Sequence, residues 1–160
     1  MAVRNQILGA VGVLCALWMG VGRWGFGLGG DLTWWYLPLI AVPFAWLQLW
    51  VVRRLRIATA RGRRVGRAPI VALALSWVSA VGFGLTVPDR VNGELASIVA
   101  PSGGGVALEM SIALCNPFGI LAFTLTIIAL GYAAAAGREP RPEEDEEPVP
   151  MPAHPLDPRA

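Results

Sequence analysis

The chain has no lysine, one histidine and two cysteines, and charged residues make up only 15% of its 160 positions. No Cys/His spacing typical of a metal site is present. The histidine, His154, lies in a polar tail where it cannot serve a Ser/His/Asp arrangement. Cys15 and Cys115 lie within apolar segments, and we expect both cysteines to be small, buried hydrophobic residues. These absences predict no metal site, no cofactor and no enzymatic activity.

Charged residues are also missing from the centres of the long apolar segments. Proton relays, voltage sensors and most ion-coupled carriers keep such charges inside the membrane because their function requires them. Apolar residues reach 55% of the chain, whereas about a quarter of an ordinary soluble domain is charged. The composition therefore predicts an integral membrane protein and disfavours ion-coupled classes.

Four apolar segments are each long enough to cross a bilayer, which takes about 20 helical residues. We predict an all-α, polytopic membrane protein whose residues 1–136 form a bundle of four transmembrane helices. The spans are expected at about residues 4–22, 34–52, 68–87 and 110–136. No A-x-A-like cleavage site follows the first span, so we predict that it remains as an anchor.

The last apolar region, residues 106–136, is longer than one straight crossing requires, and the pair Asn116 and Pro117 divides it. One interpretation, which we favour, is a single helix kinked near Pro117. In the other, Asn116 caps a separate span that begins at Pro117, and Val106–Cys115 is a half-helix.

Two segments connect the spans on the side opposite the arginine cluster described below. Residues 23–33 are rich in glycine, and their G-x-G-x-x-G spacing is accidental because no βαβ unit surrounds it; we predict a flexible loop. Residues 88–105 contain apolar residues at helical spacing, which predicts a short amphipathic helix on the membrane surface. These residues are Val91, Leu95, Ile98 and Val99.

All thirteen basic residues are arginine, and seven of them lie between the second and third predicted spans. These seven are Arg53, Arg54, Arg56, Arg61, Arg63, Arg64 and Arg67. With this segment inside, ten arginines lie near cytoplasmic span ends and two, Arg23 and Arg90, lie outside. The positive-inside rule then places both termini in the cytoplasm. We also predict that the seven contact anionic lipid headgroups, at ~1 kcal/mol each.

The last residues, 137–160, hold seven of the eleven acids and seven of the thirteen prolines. Such a segment cannot bury enough apolar surface to offset its ordering entropy, so we predict a disordered cytoplasmic tail. Two roles remain open for it: folding back onto the arginines or tethering a soluble partner. The arginine-only, Ala- and Gly-rich composition is typical of GC-rich bacterial genomes, so we expect a bacterial plasma-membrane protein.

Small residues recur every fourth position in two spans, which predicts faces that pack helix against helix. They are Gly12, Ala16 and Gly20 in the first span and Ala72, Ser76, Ala80 and Gly84 in the third. We therefore predict a non-enzymatic accessory, scaffold or assembly subunit that acts through helix and lipid contacts.

The alternative is a small-solute transporter or channel that works as a homo-oligomer, with a polar cleft formed by Gln48, Glu109 and Asn116. Membrane lipids are the expected partners, with further copies of the chain or a larger membrane complex. Nucleic acid is not expected, because the arginine cluster lies between spans and lacks interleaved aromatic residues.

Overall fold

A computed structural model describes residues 2–101 and 105–138, and most of these are helical. Four long helices, named α1 to α4 here, are long and apolar enough to cross a membrane. They span Ala2–Val21 (α1), Thr33–Ala60 (α2), Ala68–Thr86 (α3) and Gly105–Ala136 (α4). Four such helices indicate a multi-pass membrane protein. Residues 139–160, most of the predicted tail, lie outside the described residues.

Helix α2 changes its winding near its two prolines. It is α-helical over Thr33–Tyr36, forms a wider π-helical turn over Leu37–Ala41 and is α-helical again over Val42–Ala60. Pro43 has no N–H to donate to the preceding turn, and the π-helical turn ends two residues before it, at Ala41. The helix also continues beyond the predicted end at residue 52, so the first arginines of the cluster are helical.

Helix α4 covers the whole last apolar region. It runs from Gly105 to Ala136 with Pro117 inside it, so the prediction of a single helix is confirmed and the half-helix alternative is wrong. The kink near Pro117 stays a prediction. The helix begins five residues before the predicted start at residue 110. It therefore includes Glu109, whose side chain is exposed. A proline inside a helix is tolerated in a membrane because neighbouring groups satisfy the freed carbonyl.

A β-hairpin connects α3 to α4 where we predicted an amphipathic helix. Strands β1 (Asp89–Val91) and β2 (Glu94–Ala96) pair antiparallel. Between them Asn92 and Gly93 adopt φ values of 53° and 89°, as a two-residue Asn-Gly hairpin turn requires. The helical prediction is wrong because this local turn preference outweighs the spacing of the apolar residues, and the fold is therefore not purely α-helical.

The small-residue faces lie inside the bundle, as predicted. Gly12 packs on α2 so closely that a Cβ there would stand 2.8 Å from the Gln48 Cβ. Gly84 lies under the indole of Trp18 on α1, and any side chain there would overlap that ring. Ala80 is completely buried. These glycines let helix backbones approach within the chain itself.

The bundle core consists of two apolar clusters. One contains Met19, Phe44 and Phe83 with both cysteines, which are buried and free, as predicted. The other contains Leu8, Val51 and Leu73 with alanines of α4. Each of α2, α3 and α4 contributes residues to both clusters. The middle part of each helix therefore lies between the two clusters.

The two ends of the bundle differ, and we name them by their contents. The hairpin end holds residues 22–33 and 87–101. The arginine end holds residues 53–67 with the start of α1 and the end of α4. Arg61 Nη1 donates a hydrogen bond of 2.8 Å to the Gly137 carbonyl just after α4, which brings the arginine cluster beside the point where the tail begins.

Candidate functional site

The polar side chains at the centre of the bundle satisfy one another. Gln48 Nε2 donates to the Ser76 hydroxyl at 3.3 Å and to the Thr126 hydroxyl at 3.0 Å. The Trp77 indole N–H donates to Gln48 Oε1 at 3.2 Å. Both hydroxyls in turn donate to the Ala122 carbonyl, at 2.9 and 2.8 Å. We name Gln48, Ser76, Trp77 and Thr126 the central polar cluster.

The central polar cluster links α2, α3 and α4 between the two apolar clusters. Gln48 is 1% exposed, and Ser76 and Thr126 are fully buried. Hydrogen bonds of this kind hold membrane helices together because lipid offers no other partner. Gly12 supplies the space for Gln48 by lacking a side chain. The cluster is thus a structural tie, with its hydrogen-bonding capacity used inside one chain.

The predicted polar cleft is not assembled within the chain. Gln48 lies in the interior, whereas Glu109 and Asn116 are exposed on α4. Asn116 borders a shallow pocket of about 430 Å³ beside Phe83 and Phe123. Among the described residues, no hydrogen bond joins Gln48 to either of the other two.

The seven clustered arginines occupy two settings. Arg53, Arg54 and Arg56 project from the last turns of α2, because that helix continues to residue 60. The other four lie in the connection between α2 and α3. All seven are exposed except Arg63, which is half-buried. Their charge therefore faces outward from the arginine end.

Two surface grooves meet at the helical arginines. The α1–α2 groove has a volume of about 780 Å³ and is lined by Gln6, Gly9, Ala10, Val13, Leu14, Leu49, Val52, Arg53 and Arg56. The tryptophan groove has a volume of about 420 Å³ and is lined by Trp46, Leu49, Trp50, Arg53, Arg54 and Ile57. Leu49 and Arg53 belong to both grooves.

The hairpin end contains a buried ion pair that sequence reasoning missed. Asp89 is 0% and Arg23 1% exposed, and Arg23 Nε lies 3.6 Å from Asp89 Oδ2. The carboxylate also accepts hydrogen bonds from the Thr33 hydroxyl and from the backbone N–H groups of Leu32 and Arg90. One side chain thereby joins three segments of the chain.

The Asp89 carboxyl group is held in its ionised form. Burial alone raises its pKa, but hydrogen bonds from Thr33 and from backbone N–H groups lower it by more, so that the pKa lies below its ordinary value. These donors favour the charged form over the neutral one. Asp89 is thus an anion that the fold supplies with its own partners.

The guanidinium of Arg23 is enclosed on every side. It donates to the Gly20 carbonyl at 3.0 Å and to the Val87 carbonyl at 3.5 Å. Its central carbon lies 4.5 Å from the ring centroid of Tyr36, and the Tyr36 hydroxyl donates to the Pro88 carbonyl at 3.0 Å. A cation over an aromatic face adds to the attraction of Asp89.

The segment predicted as a flexible loop, residues 23–33, makes defined contacts with the hairpin. Gly22–Phe26 form a short 3₁₀-helix, and the backbone N–H of Asp31 donates to the Arg90 carbonyl at 3.4 Å. Gly30 lies so close to Arg90 that any side chain would overlap its backbone. Glycine at this position therefore permits close approach to the hairpin, and the flexibility of the loop stays a prediction.

A second set of hydrogen bonds joins the hairpin connection to α4. The Ser97 and Ser111 hydroxyls lie 2.7 Å apart, and Ser111 donates to the Thr86 carbonyl at 2.6 Å. Ser97 is fully buried and Ser111 is 1% exposed. Together with the ion pair, these bonds close the hairpin end over the bundle.

No protein-family model, curated protein or solved structure matches the chain. Within residues 2–101 and 105–138, no three His, Cys, Asp or Glu side chains gather where they could hold a metal ion. The class of protein therefore follows from the fold alone: a helical, multi-pass membrane protein with one closed and one cationic end.

Proposed function

We propose that this protein is a non-enzymatic accessory, scaffold or assembly subunit of the bacterial plasma membrane, acting through helix and lipid contacts. The observation that carries the proposal is the central polar cluster. Its polar atoms are engaged within one chain. The outward surfaces of the helices are mostly apolar, with Glu109 and Asn116 exposed on α4 and arginines exposed at one end. Such a molecule offers surfaces for contact rather than a polar interior for a solute.

The buried Gln48 also weighs against the rival function, a transporter that lines its path with Gln48, Glu109 and Asn116. In that arrangement the Gln48 amide would face a second copy, but here it is 1% exposed and faces Ser76 and Thr126. Turning it outward would break its hydrogen bonds to Ser76 and Thr126 and leave the Trp77 indole N–H without its acceptor.

The orientation of the bundle belongs to the same proposal. Arg61 bonded to Gly137 keeps the arginine cluster and the end of α4 at one end, and arginine favours the cytoplasmic side. We therefore place the arginine end and both termini in the cytoplasm. Cysteine substitutions in intact cells test this with a membrane-impermeant thiol reagent, and the parent chain gives the background from the native cysteines.

The expected labelling differs between the two ends. Glu94→Cys, on the exposed hairpin, should react from outside, whereas Arg64→Cys should react only after permeabilisation. Reaction of Arg64→Cys in intact cells would overturn the proposed orientation.

Two measurements test the role itself. A tagged chain extracted from native membranes in mild detergent should carry a second polypeptide in a fixed ratio, and a lone monomer would contradict the proposal. Purified protein in liposomes should carry no small solute, with or without Gln48→Leu. Solute flux that Gln48→Leu abolishes would favour the transporter instead.

A further inference from the structure

The α1–α2 groove changes polarity along its length. Leu49, Arg53 and Arg56 share one face of α2, and a rise of 1.5 Å per residue places Arg56 about 10 Å beyond Leu49. Val13 and Leu14 of α1 line the groove together with Leu49. The groove is therefore apolar towards the middle of the bundle and cationic at its mouth, which matches an acyl chain joined to a phosphate.

Small residues keep this groove open. A Cβ at Gly9 would stand 3.9 Å from side-chain atoms of Leu49 and Val52, an ordinary contact distance. Alanine would therefore fit at this position, and only a longer side chain would fill the space. Ala10 lines the same groove and is exposed. The groove is thus a feature of the α1 sequence rather than a gap between poorly packed helices.

The described fold makes no use of the arginine side chains at the mouth of the groove. Within the described part of the chain, the guanidinium groups of Arg53 and Arg56 have no ion pair and no hydrogen bond. The four acids of the described residues all lie at or near the hairpin end, away from these arginines. They are Asp31, Asp89, Glu94 and Glu109. The charge of the two arginines is therefore available to an external anion.

The tryptophan groove lies on the other side of Leu49 and ends at the same arginine. Its walls include Trp46 and Trp50, whose rings lie 5.1 Å apart. Tryptophan is enriched at the headgroup level because its ring is apolar and its N–H is polar. Two apolar grooves that converge on Arg53 fit a molecule with two chains joined at one anionic group.

We propose that an anionic diacyl phospholipid binds astride Leu49, with one acyl chain in each groove and its phosphate held by Arg53 and Arg56. The inference rests on the lipid contacts of the proposed function and specifies them. It separates the groove arginines from those of the α2–α3 connection, such as Arg64, which attract anions without adjoining a groove.

Matched double substitutions separate a site from general charge attraction. The chain is purified in neutral detergent, mixed with phosphatidylglycerol, and its lipid retention is measured by native mass spectrometry. Arg53→Gln/Arg56→Gln should lower retention about 30-fold, because each charge-assisted hydrogen bond to the phosphate is worth about 1 kcal/mol more than a neutral one. Arg64→Gln/Arg67→Gln, at two exposed positions outside the grooves, removes the same charge and should lower it less than about threefold. Equal losses in the two variants would overturn the site.

Filling the groove tests its apolar part without changing charge. Gly9→Leu should lower phosphatidylglycerol retention about tenfold, and Ala10→Leu, at an exposed position, provides a second variant if the first does not fold. Circular dichroism melting confirms folding in each case. Unchanged retention in folded Gly9→Leu or Ala10→Leu would overturn the proposal.

A headgroup without chains identifies the source of the anion. Glycerol phosphate at the same concentration should not displace bound phosphatidylglycerol, and displacement would show a simple anion site instead. Failure here leaves the proposed function standing, because that function is tested by solute flux and by a second polypeptide. Flux in liposomes would remove the proposed function and leave the lipid site intact.

Discussion

Arginine has opposite surroundings at the two ends of the bundle. At the hairpin end Arg23 is 1% exposed and contacts Asp89, two backbone carbonyls and the Tyr36 ring. At the arginine end Arg53 and Arg56 are exposed, and within the described residues their guanidinium groups bind nothing. The same residue type joins segments of the chain in one place and faces outward in the other.

We therefore expect the two ends to contribute differently: the hairpin end to the stability of the fold, and the arginine end to the binding of anionic lipid. A buried charge is costly to desolvate, so removing the partner of Arg23 should destabilise the fold strongly. An exposed charge contributes little to folding but attracts anions from the membrane surface. Substitutions at the hairpin end should therefore change melting, and those at the arginine end should change lipid binding.

The largest effect is expected from Asp89→Asn. This change leaves the buried guanidinium of Arg23 without its anion, so it should lower the free energy of unfolding by about 3–5 kcal/mol. Thermal melting in detergent measures the loss. Glu94→Gln, which removes an exposed acid from the same hairpin, is the matched control and should melt with the parent, as should Arg53→Gln. Equal melting temperatures of Asp89→Asn and Glu94→Gln would contradict a stabilising role for the buried ion pair.

Helix packing should respond next. Gly84→Leu forces the Trp18 indole away from α3 and breaks its 3.1 Å hydrogen bond to the Val81 carbonyl. Overpacking of this kind costs about 1–3 kcal/mol. Gly12→Leu should act similarly against Gln48. The control is Gly131→Leu, because that glycine of α4 is exposed with open space where a Cβ would stand.

These glycine variants also test the assignment of faces. Melting of Gly84→Leu with the parent would mean that its face looks towards lipid. Destabilisation by Gly131→Leu would mean that α4 packs more tightly than described.

A smaller effect is expected from pH. The pKa of Asp89 lies below its ordinary value, so its contribution to stability is complete above about pH 3.9. That contribution is lost as the pH falls from there through the lowered pKa, because the unfolded chain takes up the proton first. The difference in melting temperature between the parent and Asp89→Asn should therefore narrow below about pH 4. A constant difference down to pH 3 would argue against an ionised Asp89.

The sequence predicted the features that depend on local signals. Apolar runs of bilayer length located the four helices, and the arginine cluster was identified as one charged end. The spacing of Gly12 and Gly84 indicated packed faces. The Asn92–Gly93 turn was equally local, and the helical spacing around Val91 concealed it.

The features that the sequence did not reveal depend on which faces meet. Arg23 and Asp89 each follow a span directly on the same predicted side, and that shared position was a signal for pairing. Whether they pair, however, depends on how α1 and α3 are placed. Gln48 likewise could tie helices together inside one bundle or line a path between copies of the chain. Only the packing of α2 against α3 and α4 decides between these two roles.

The smallest effect concerns the acidic tail, residues 139–160, which lies outside the described residues. Because Gly137 is bonded to Arg61, the tail begins beside the arginine cluster, where we expect its acids to compete with lipid for the same charges. We expect deletion of the tail to leave melting unchanged. It should raise phosphatidylglycerol retention by up to about fivefold at low salt, since exposed ion pairs are worth at most about 1 kcal/mol.

Salt and a second variant decide whether this shielding acts on the lipid site. Charges separated by more than ~8 Å are largely screened at physiological ionic strength, so the gain should shrink as salt rises. It should also vanish in Arg53→Gln/Arg56→Gln if the tail covers the groove arginines, and persist if the tail covers only the α2–α3 connection. Equal retention with and without the tail at every salt concentration would mean that the tail is an independent tether, free to hold a soluble partner.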